Sequence, residues 1–324
     1  MSGPGGPRSD EPLLSVQHLT VEYAVGGKTL SAVSDVSLAV GRGETLGLVG
    51  ESGCGKSTLG RAVLQLNRPT AGKVTFDGTE LTKLEGEAMR LMRRRLQLIF
   101  QDPIASLNPR RSIGDIVAEP LIISGVKDKA ERERRVRDVL SAVGLDPDQV
   151  RGRLPHEFSG GQCQRICIAR ALVLEPELVI CDEPVSALDV SIRAQILNLL
   201  EDMKRRYGLT LLFIAHDLAV VKAVSDRVAV MYLGRLCEVS PTEQLFAKPA
   251  HPYTALLLEA IPLPDPTVKP ATNLAVGEPP SPLSPPPGCR FHTRCPKAMD
   301  VCRQVDPPMR PLDGGRAVAC HLYD

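Results

Sequence analysis

Gly-Glu-Ser-Gly-Cys-Gly-Lys-Ser-Thr, at Gly50–Thr58, is the stretch that decides the fold. It follows a short apolar run, Thr45–Val49, and it precedes Leu59–Leu66, in which apolar residues recur at helical spacing. A strand, a glycine-rich turn and a helix in this order are the context in which the spacing G-x-x-x-x-G-K-[ST] indicates a phosphate-binding loop. The stretch therefore predicts a strand–loop–helix unit that binds a nucleoside triphosphate.

The residue types of this loop explain how it would bind phosphate. Glycines let backbone N–H groups converge on an anion, and the positive end of the following helix dipole points at the same place. The Lys56 side chain can then reach the β- and γ-phosphates, and the Ser57 hydroxyl can bind Mg²⁺. The alternative, an ordinary glycine-rich turn with a surface lysine, is disfavoured by the flanking strand and helix. The residues expected to contact the nucleotide are Gly50, Glu51, Ser52, Gly53, Cys54, Gly55, Lys56, Ser57 and Thr58.

The amino-acid composition is that of a globular protein and argues against a nucleic-acid-binding or membrane-spanning one. The chain has 324 residues, 43% hydrophobic and 24% charged, which is the balance of a soluble globular protein with room for two folded parts. A formal net charge of +1 creates no overall field for nucleic acid, and 3% aromatic residues leave little for base stacking, so we expect no nucleic-acid partner. No apolar run approaches the length of about 20 residues that a bilayer span needs. Without an export signal, we expect the nine cysteines in a reducing cytosol.

Hydrophobic patterns predict an α/β fold with a largely parallel sheet, because strands alternate with helices. The predicted strands are Leu14–Tyr23, Val33–Val40, Lys73–Phe76, Gln97–Phe100, Leu178–Cys181, Thr210–Ile214 and Arg227–Tyr232. The predicted helices are Ile113–Leu121, Ala130–Val143, Cys163–Leu174, Ile192–Tyr207 and Leu218–Val224. We expect a disordered tail over residues 1–12, a main domain over 13–240 with a helical subdomain over about 102–175, and an extension over 241–324. Within that extension, Pro262–Pro287 predicts a proline-rich arm.

Two acids follow one of the predicted strands. Leu178–Cys181 is apolar, and Asp182 and Glu183 come directly after it. A buried strand that delivers carboxylates to its carboxyl end suits a magnesium–nucleotide site in an open α/β sheet. Asp182 would hold the magnesium shell, and Glu183 would orient and polarise the attacking water. By itself the pair could be a polar strand end; together with the phosphate loop it indicates hydrolysis.

A second glycine-rich segment introduces a predicted helix. Ser159 suits an N-cap, and the glycines that follow leave backbone N–H groups exposed, which makes a second candidate anion site. The residues assigned to it are Ser159, Gly160, Gly161 and Gln162. The chain then has one phosphate loop but two sites that could contact phosphate. Two subunits that face each other would explain this difference.

In the order of these motifs the chain resembles an ATP-binding-cassette (ABC) ATPase from Tyr23 to His216. The resemblance implies a RecA-like α/β core, an antiparallel β layer and a helical subdomain. It implies that Tyr23 stacks on adenine, that Gln101 senses the γ-phosphate and Mg²⁺, and that His216 hydrogen-bonds the γ-phosphate. It implies that Ser186–Asp189 contacts a second subunit, and that the segment beginning at Ser159 contacts ATP held by that subunit. Phe158 stands where the family most often has leucine.

Further segments narrow the resemblance to the ATPases of bacterial oligopeptide and dipeptide import permeases. These segments are Gln101–Arg110, Ala118–Leu121, His251–Thr254 and the carboxyl-terminal cysteines. Such a permease has two ATPase subunits, D-type and F-type. The residues Arg110-Arg111 and Glu119–Leu121 are more similar to the F-type subunit. The resemblance implies a D-type heterodimer partner, two transmembrane permease subunits and, indirectly, an extracytoplasmic solute-binding protein. It implies a peripheral position on the cytoplasmic face of the membrane. Import of another solute such as nickel, a non-transport ABC ATPase and a metal-sensing regulator are the alternatives.

The last candidate site is a group of cysteines in a carboxyl-terminal segment too short for a core of its own. Its members are Cys289, Cys295, Cys302 and Cys320. Small core-poor domains commonly depend on a metal, and Cys295-Pro296 is similar to an iron–sulfur ligand followed by proline. The gaps are wider than the C-x-x-C pairs of structural zinc, so a [4Fe-4S] cluster is favoured over zinc, with free thiols as a further alternative.

Overall fold

A computed structural model describes residues 11–260 and 278–324 of the chain. Most of the predicted amino-terminal tail, and the predicted proline-rich arm as far as Gly277, lie outside these ranges. The strands are β1 (Leu14–Val25), β2 (Lys28–Val40), β3 (Thr45–Val49), β4 (Ala71–Phe76), β5 (Thr79–Glu80), β6 (Leu96–Ile99), β7 (Leu178–Asp182), β8 (Thr210–Ile214), β9 (Arg227–Tyr232), β10 (Arg235–Pro241), β11 (Arg310–Leu312) and β12 (Arg316–Val318). The helices are α1 (Lys56–Val63), α2 (Gly86–Arg95), α3 (Ile113–Ile123), α4 (Lys129–Ala142), α5 (Pro147–Val150), α6 (Gly160–Leu172), α7 (Val190–Tyr207), α8 (Leu218–Val224), α9 (Thr242–Ala247) and α10 (Pro252–Glu259).

The larger sheet has the strand order β11-β12-β10-β9-β3-β8-β7-β6. Strands β9, β3, β8, β7 and β6 pair in parallel, whereas β10 and the short β11–β12 hairpin extend the sheet by antiparallel pairing. Strands β3, β7 and β8 are buried along their whole length, which explains why their sequences are continuous apolar runs rather than alternating ones. The predicted α/β class with a largely parallel sheet is confirmed.

A second, antiparallel sheet in the order β2-β1-β4-β5 covers one face of the larger one. The core between them contains Leu59 of α1 and alternate residues of the parallel strands, such as Leu212 and Ile214 of β8. The intervening residues, Leu211 and Phe213, face the opposite core, which is built with α3, α4, α6, α7 and α8. This two-sided burial fixes the parallel strands rigidly, and it holds their carboxyl ends at defined positions.

Several predicted element boundaries differ from those in the structure. The second strand begins at Lys28 rather than Val33, because Lys28–Leu30 pairs with Tyr23–Val25 in the first hairpin. The phosphate-loop helix ends at Val63 rather than Leu66, and Gln65 adopts a positive φ of 54° just after it. No helix within residues 11–260 and 278–324 is both long enough and apolar enough to cross a bilayer.

The predicted extension is not separate from the main core. Strand β12 pairs with β10, and Ala319 N–H donates to Cys237 O at 2.8 Å. Phe291 is 1% exposed and packs edge-on against Tyr232 at the end of β9, with ring centroids 5.3 Å apart. The carboxyl-terminal segment therefore shares the hydrophobic core of the main sheet instead of forming its own.

His251 gives the fold a pH dependence. Its ring is buried, Nδ1 accepts a hydrogen bond from Tyr253 N–H at 3.0 Å, and burial lowers its pKa to about 4. The unfolded chain, with an ordinary pKa near 6.5, binds a proton that the folded chain does not bind between pH 6.5 and 4. The free energy of unfolding should therefore fall by about 3 kcal/mol from this group as the pH falls through that window.

We expect His251→Asn, which can still cap α10, to flatten this dependence. Denaturant unfolding at pH 7, 6, 5 and 4 measures the slope, and the exposed His156→Asn variant serves as the control that keeps the parental slope. Equal slopes in the parent and in His251→Asn would contradict the assignment.

Candidate functional site

The predicted site residues meet at one edge of the larger sheet. Strands β3, β8, β7 and β6 are neighbours and run in parallel, so their carboxyl ends lie side by side. The phosphate loop follows β3. Asp182 is the last residue of β7 and Glu183 comes directly after it. Gln101 lies just beyond β6, and His216 lies just beyond β8. Ligands of open α/β sheets bind outside this edge.

Two glycines fix the path of the phosphate loop. At Gly50 φ is +155°, and a Cβ would lie 2.1 Å from the carbonyl oxygen of Met231. At Gly55 φ is +106°, and a Cβ would lie 2.1 Å from the carbonyl oxygen of Ala32. Neighbouring backbone occupies both positions, so only glycine fits. Gly55 also caps α1 without any side-chain hydrogen bond, which leaves the first N–H groups of that helix available to an anion.

Lys56 is buried and its ammonium group lies inside the loop. Nζ donates to the carbonyl oxygens of Gly50 at 2.7 Å and Glu51 at 3.1 Å. The side chain thus spans the concave side of the loop, where the convergent N–H groups would hold phosphate. The third contact of Nζ is to Cys54 Sγ at 3.8 Å. A buried ammonium with these neutral partners has no counter-charge among them, and a phosphate would supply one.

Ser57 and Asp182 form a pair suited to magnesium. Ser57 Oγ donates to Asp182 Oδ1 at 2.6 Å, and Asp182 is 1% exposed. Burial raises the pKa of Asp182, while the Ser57 hydrogen bond and the Arg61 guanidinium at 3.9 Å oppose the rise. A buried carboxylate beside a hydroxyl is the oxygen-donor set that Mg²⁺ prefers, so these residues fit the predicted ion.

Glu183 is the centre of a second group. Its Oε2 accepts a hydrogen bond from Gln101 Nε2 at 3.1 Å and lies 3.1 Å from His216 Nδ1. Glu183 has a positive φ of 48°, which is uncommon for a residue with a side chain, and its N–H donates to Ile214 O at 3.0 Å. The strained backbone aims the carboxylate at the carboxyl edge of the sheet, between the residues predicted to sense the γ-phosphate.

The segment at Ser159 lies apart from the phosphate loop. Ser159 caps α6, since its Oγ accepts from Gln162 N–H at 3.3 Å while Gln162 Oε1 accepts from Ser159 N–H at 3.0 Å. A Cβ on Gly161 would lie 2.6 Å from Ile192 in α7, so this glycine is required by close packing. In the two described ranges, no hydrogen bond or ion pair joins Ser159–Gln162 to Gly50–Thr58. One chain therefore presents two separate candidate anion sites.

Tyr23 lies near the far end of α1 from the phosphate loop, and the predicted dimer loop, Ser186–Asp189, lies beside Glu183. Tyr23 lies in β1 and is partly exposed, and its hydroxyl accepts a hydrogen bond from Asn67, which follows the carboxyl end of α1. The phosphate loop precedes the amino end of the same helix. Ser186 Oγ donates to Glu183 O at 3.0 Å, so Ser186–Asp189 begins directly beside the Glu183 group.

The predicted metal centre at the carboxyl-terminal cysteines finds no support. Within the described residues, which include all four of them, no group of three or more His, Cys, Asp or Glu side chains is placed to hold a metal ion. Burial raises the pKa of Cys289 to about 11 and also raises the pKa of Cys295 and of Cys320, so the thiols are protonated at neutral pH in the protein without a metal. The shared core gives the segment apolar support that the sequence alone did not indicate. An iron–sulfur cluster or zinc at Cys289, Cys295, Cys302 and Cys320 stays a prediction.

Sequence reasoning missed two contacts to the phosphate loop from the carboxyl-terminal part. Arg294 forms an ion pair with Glu51, and Glu51 N–H donates to Tyr253 OH at 2.9 Å. The D-G-G sequence at Asp313–Gly315 is a turn signal that could have suggested the β11–β12 hairpin. Nothing in the local sequence pairs Arg294 with Glu51, which lies 243 residues away.

Comparisons with known proteins agree with this geometry. The ABC transporter family model matches residues 33–186, and the model of the oligopeptide/dipeptide transporter C-terminal region matches residues 237–302. A putative peptide import ATP-binding protein of Brucella ovis is 53% identical over 312 residues, covering 96% of this chain and 98% of its own length. A putative oligopeptide transport ATP-binding protein of Bacillus subtilis is 51% identical over 316 residues, with 96% of each chain covered.

Solved structures show the same architecture. The chain is similar to cbiO1 of Clostridium perfringens, part of an ABC transporter complex, with a TM-score of 0.66 and 28% identity over 74% of this chain and 92% of that one. It is also similar to an ATP-binding cassette solved as a dimer in a post-hydrolysis state with ADP and Pi, with a TM-score of 0.65 and 28% identity. That match covers 71% of this chain and 98% of the cassette.

The shared core predicts how strongly Phe291 anchors the carboxyl-terminal segment. Phe291→Ala should lower the free energy of unfolding by about 3–5 kcal/mol, because it removes a fully buried aromatic ring from the cluster with Tyr232 and Tyr253. Denaturant unfolding of the full chain, followed by circular dichroism, measures the change. Met309→Ala, in the same segment but 40% exposed, is the control. An unchanged main transition in Phe291→Ala would show that the segment folds independently of the core.

Proposed function

This chain belongs to the ABC transporter family, and we propose that it hydrolyses ATP to power peptide import through separate transmembrane subunits. The observation that carries the proposal is the convergence of Lys56, Ser57, Asp182, Glu183 and His216 at one sheet edge. The peptide substrate is supported by the match to the oligopeptide/dipeptide transporter C-terminal region. It is also supported by relatives, similar over nearly their whole length, that are named as putative peptide import and oligopeptide transport ATP-binding proteins.

Each site residue has a proposed part in hydrolysis. Lys56 and the N–H groups at the start of α1 bind the β- and γ-phosphates, and Ser57 and Asp182 hold Mg²⁺, which neutralises charge on the phosphates. The Glu183 carboxylate orients and polarises the attacking water. Gln101 senses the γ-phosphate and Mg²⁺, and His216 hydrogen-bonds the γ-phosphate. Both side chains lie 3.1 Å from Glu183 Oε2 and so also hold that carboxylate in place. Tyr23 stacks on adenine if its side chain leaves Asn67 when the nucleotide binds.

The separation of the two anion sites supports a head-to-tail pair of ATPase subunits. The Ser159–Gln162 segment would contact ATP bound to the phosphate loop of the second subunit, and the cassette solved as a dimer provides a precedent for pairing. We propose that the second subunit is a related D-type chain and that this one is F-type. The binding partner is then a paralogue with its own phosphate loop rather than a second copy.

The transporter context follows from the family. We propose that residues 13–240 form the ATPase domain, that residues of about 102–175 form a helical subdomain which passes motion to two transmembrane permease subunits, and that residues 241–324 are the extension. The chain would lie peripherally on the cytoplasmic face of the membrane. A solute-binding protein outside the membrane would deliver the peptide.

Purification from membranes tests this function. The chain should co-purify with two permease subunits and a second ATPase, and the reconstituted complex should hydrolyse ATP faster when a peptide-loaded binding protein is added. Stimulation by nickel and not by peptide would overturn the substrate class. Association with ribosomes or DNA, and not with permease subunits, would overturn the transport function.

Two substitutions separate binding from turnover. Lys56→Ala should weaken ATP binding by about tenfold or more, because it removes the ammonium that contacts the phosphates in the ground state. Glu183→Gln should keep ATP binding and lower kcat by about 100-fold or more, because it acts on the attacking water. Equilibrium ATP binding and steady-state ATPase rates measure both effects. Parental turnover in Glu183→Gln would refute its role.

The dimer proposal predicts a defect at the partner's site. Ser159→Arg should leave ATP binding by the isolated chain within about twofold while abolishing most hydrolysis in the assembled pair, because the new side chain fills the space facing the partner's nucleotide. Ser159→Ala removes the hydroxyl, and with it a cap worth about 1 kcal/mol, without adding bulk, so it should lower hydrolysis less than Ser159→Arg does. Loss of ATP binding by isolated Ser159→Arg would instead indicate an intrachain site.

A further inference from the structure

Glu51, the second residue of the phosphate loop, is held from outside the ATPase core. Its Oε2 and Oε1 accept hydrogen bonds from Arg294 Nη1 at 2.9 Å and Nη2 at 3.0 Å, which is a two-pronged ion pair. Its N–H donates to Tyr253 OH at 2.9 Å. Both partners lie in the carboxyl-terminal part of the chain, more than 200 residues from the loop along the sequence.

The ion pair is set in a protected environment. The Arg294 side chain is 9% exposed, and its Nη1 also donates to Tyr232 OH at 3.3 Å. Burial works to lower the pKa of Arg294, but its hydrogen bonds to Glu51 and Tyr232 raise it, so the guanidinium stays charged. A charge pair of this kind is costly to break, because removing one partner leaves the other without its counter-charge.

Tyr253 contributes a neutral, fixed acceptor. Its ring is 1% exposed between Tyr232 and Phe291, and burial holds its pKa above the ordinary value. Because the hydroxyl takes the Glu51 N–H, that donor is turned away from the phosphate position, and the later N–H groups of the loop remain for the anion. On the other side, Glu51 O accepts from Lys56 Nζ at 3.1 Å. The N–H, the carbonyl and the carboxylate of Glu51 are thus all engaged.

We propose that Arg294 and Tyr253 are positioning residues that hold the phosphate loop in its ATP-binding shape through Glu51. The inference rests on the proposed ATP site and adds to it a direct coupling between nucleotide binding and the carboxyl-terminal segment. A loop that is already ordered loses less conformational entropy when ATP binds. The coupling is reciprocal, so ATP should stabilise the contact of that segment with the loop.

The test is Mg-ATP affinity of the full-length chain, measured by titration calorimetry. Arg294→Met should raise the Kd about tenfold, because the loop must then be ordered at the expense of binding. Arg294→Lys keeps the charge but loses the planar fork, and it should restore only part of the affinity. Tyr253→Phe keeps the buried ring and removes the hydroxyl, and it should raise the Kd about threefold.

Matched controls come from the same part of the chain. Arg310 pairs with Asp324 at 2.8 Å, and Tyr323 OH donates to Ala250 O at 3.0 Å; neither residue makes a hydrogen bond to the loop within the described ranges. Arg310→Met and Tyr323→Phe should therefore bind Mg-ATP with the parental Kd. Equal weakening in the controls and in the Arg294 and Tyr253 variants would overturn the proposal.

A double-mutant cycle and melting curves distinguish positioning from plain stability. Glu51→Gln together with Arg294→Met should raise the Kd no more than Arg294→Met alone, since both break one contact, and additive effects would contradict the coupling. Arg294→Met should also show a smaller rise of Tm on adding saturating Mg-ATP, whereas a purely structural pair would lower Tm equally with and without nucleotide. If Lys56→Ala binds ATP with the parental Kd, the proposed ATP site itself is wrong. If Lys56→Ala binds ATP weakly but Arg294→Met binds it with the parental Kd, the positioning role fails and the ATP site stands.

Discussion

The parallel pairing of β3 with β8 and β9 is the constraint on which the rest of the structure depends. It places the phosphate loop next to the carboxyl end of β8, and β7 and β6 follow in register on the same side. Ser57 can therefore donate to Asp182, which lies 125 residues further along the chain. Because a one-residue slip would turn alternate side chains to the opposite core, burial on both faces keeps this register unique.

Local sequence was sufficient for the elements that carry strong patterns. The strand at Thr210–Ile214 and the helix at Leu218–Val224 were predicted to the residue, because the strand lies within a largely apolar stretch and the helix lies between Asp217 and Ser225. Asp182 and Glu183 could be named because they follow a predicted buried strand. Gln101 and His216 were named through the family resemblance. What could not be predicted depends on long-range contacts. The Arg294–Glu51 ion pair and the pairing of β12 with β10 leave no signal within any one segment.

The cysteine segment gains its order from a core that it shares with the main sheet. The stretch is too short for its own core, as the sequence indicates, but a segment need not supply both sides of its hydrophobic contact. Phe291 inserts among Tyr232, Tyr253 and His251, and Cys302 N–H donates to Met299 O in a local turn.

The same shared core places the carboxyl-terminal segment against the phosphate loop. Tyr232 ends the strand beside β3, and its ring packs on Tyr253 while its hydroxyl accepts from Arg294. The packing that anchors the segment therefore also brings Arg294 and Tyr253 to Glu51, and no additional helix or strand is needed to place them. A rearrangement of the segment would have to move either this aromatic cluster or the loop, because the core between them is close-packed. Nucleotide binding and the carboxyl-terminal segment are consequently linked through Glu51.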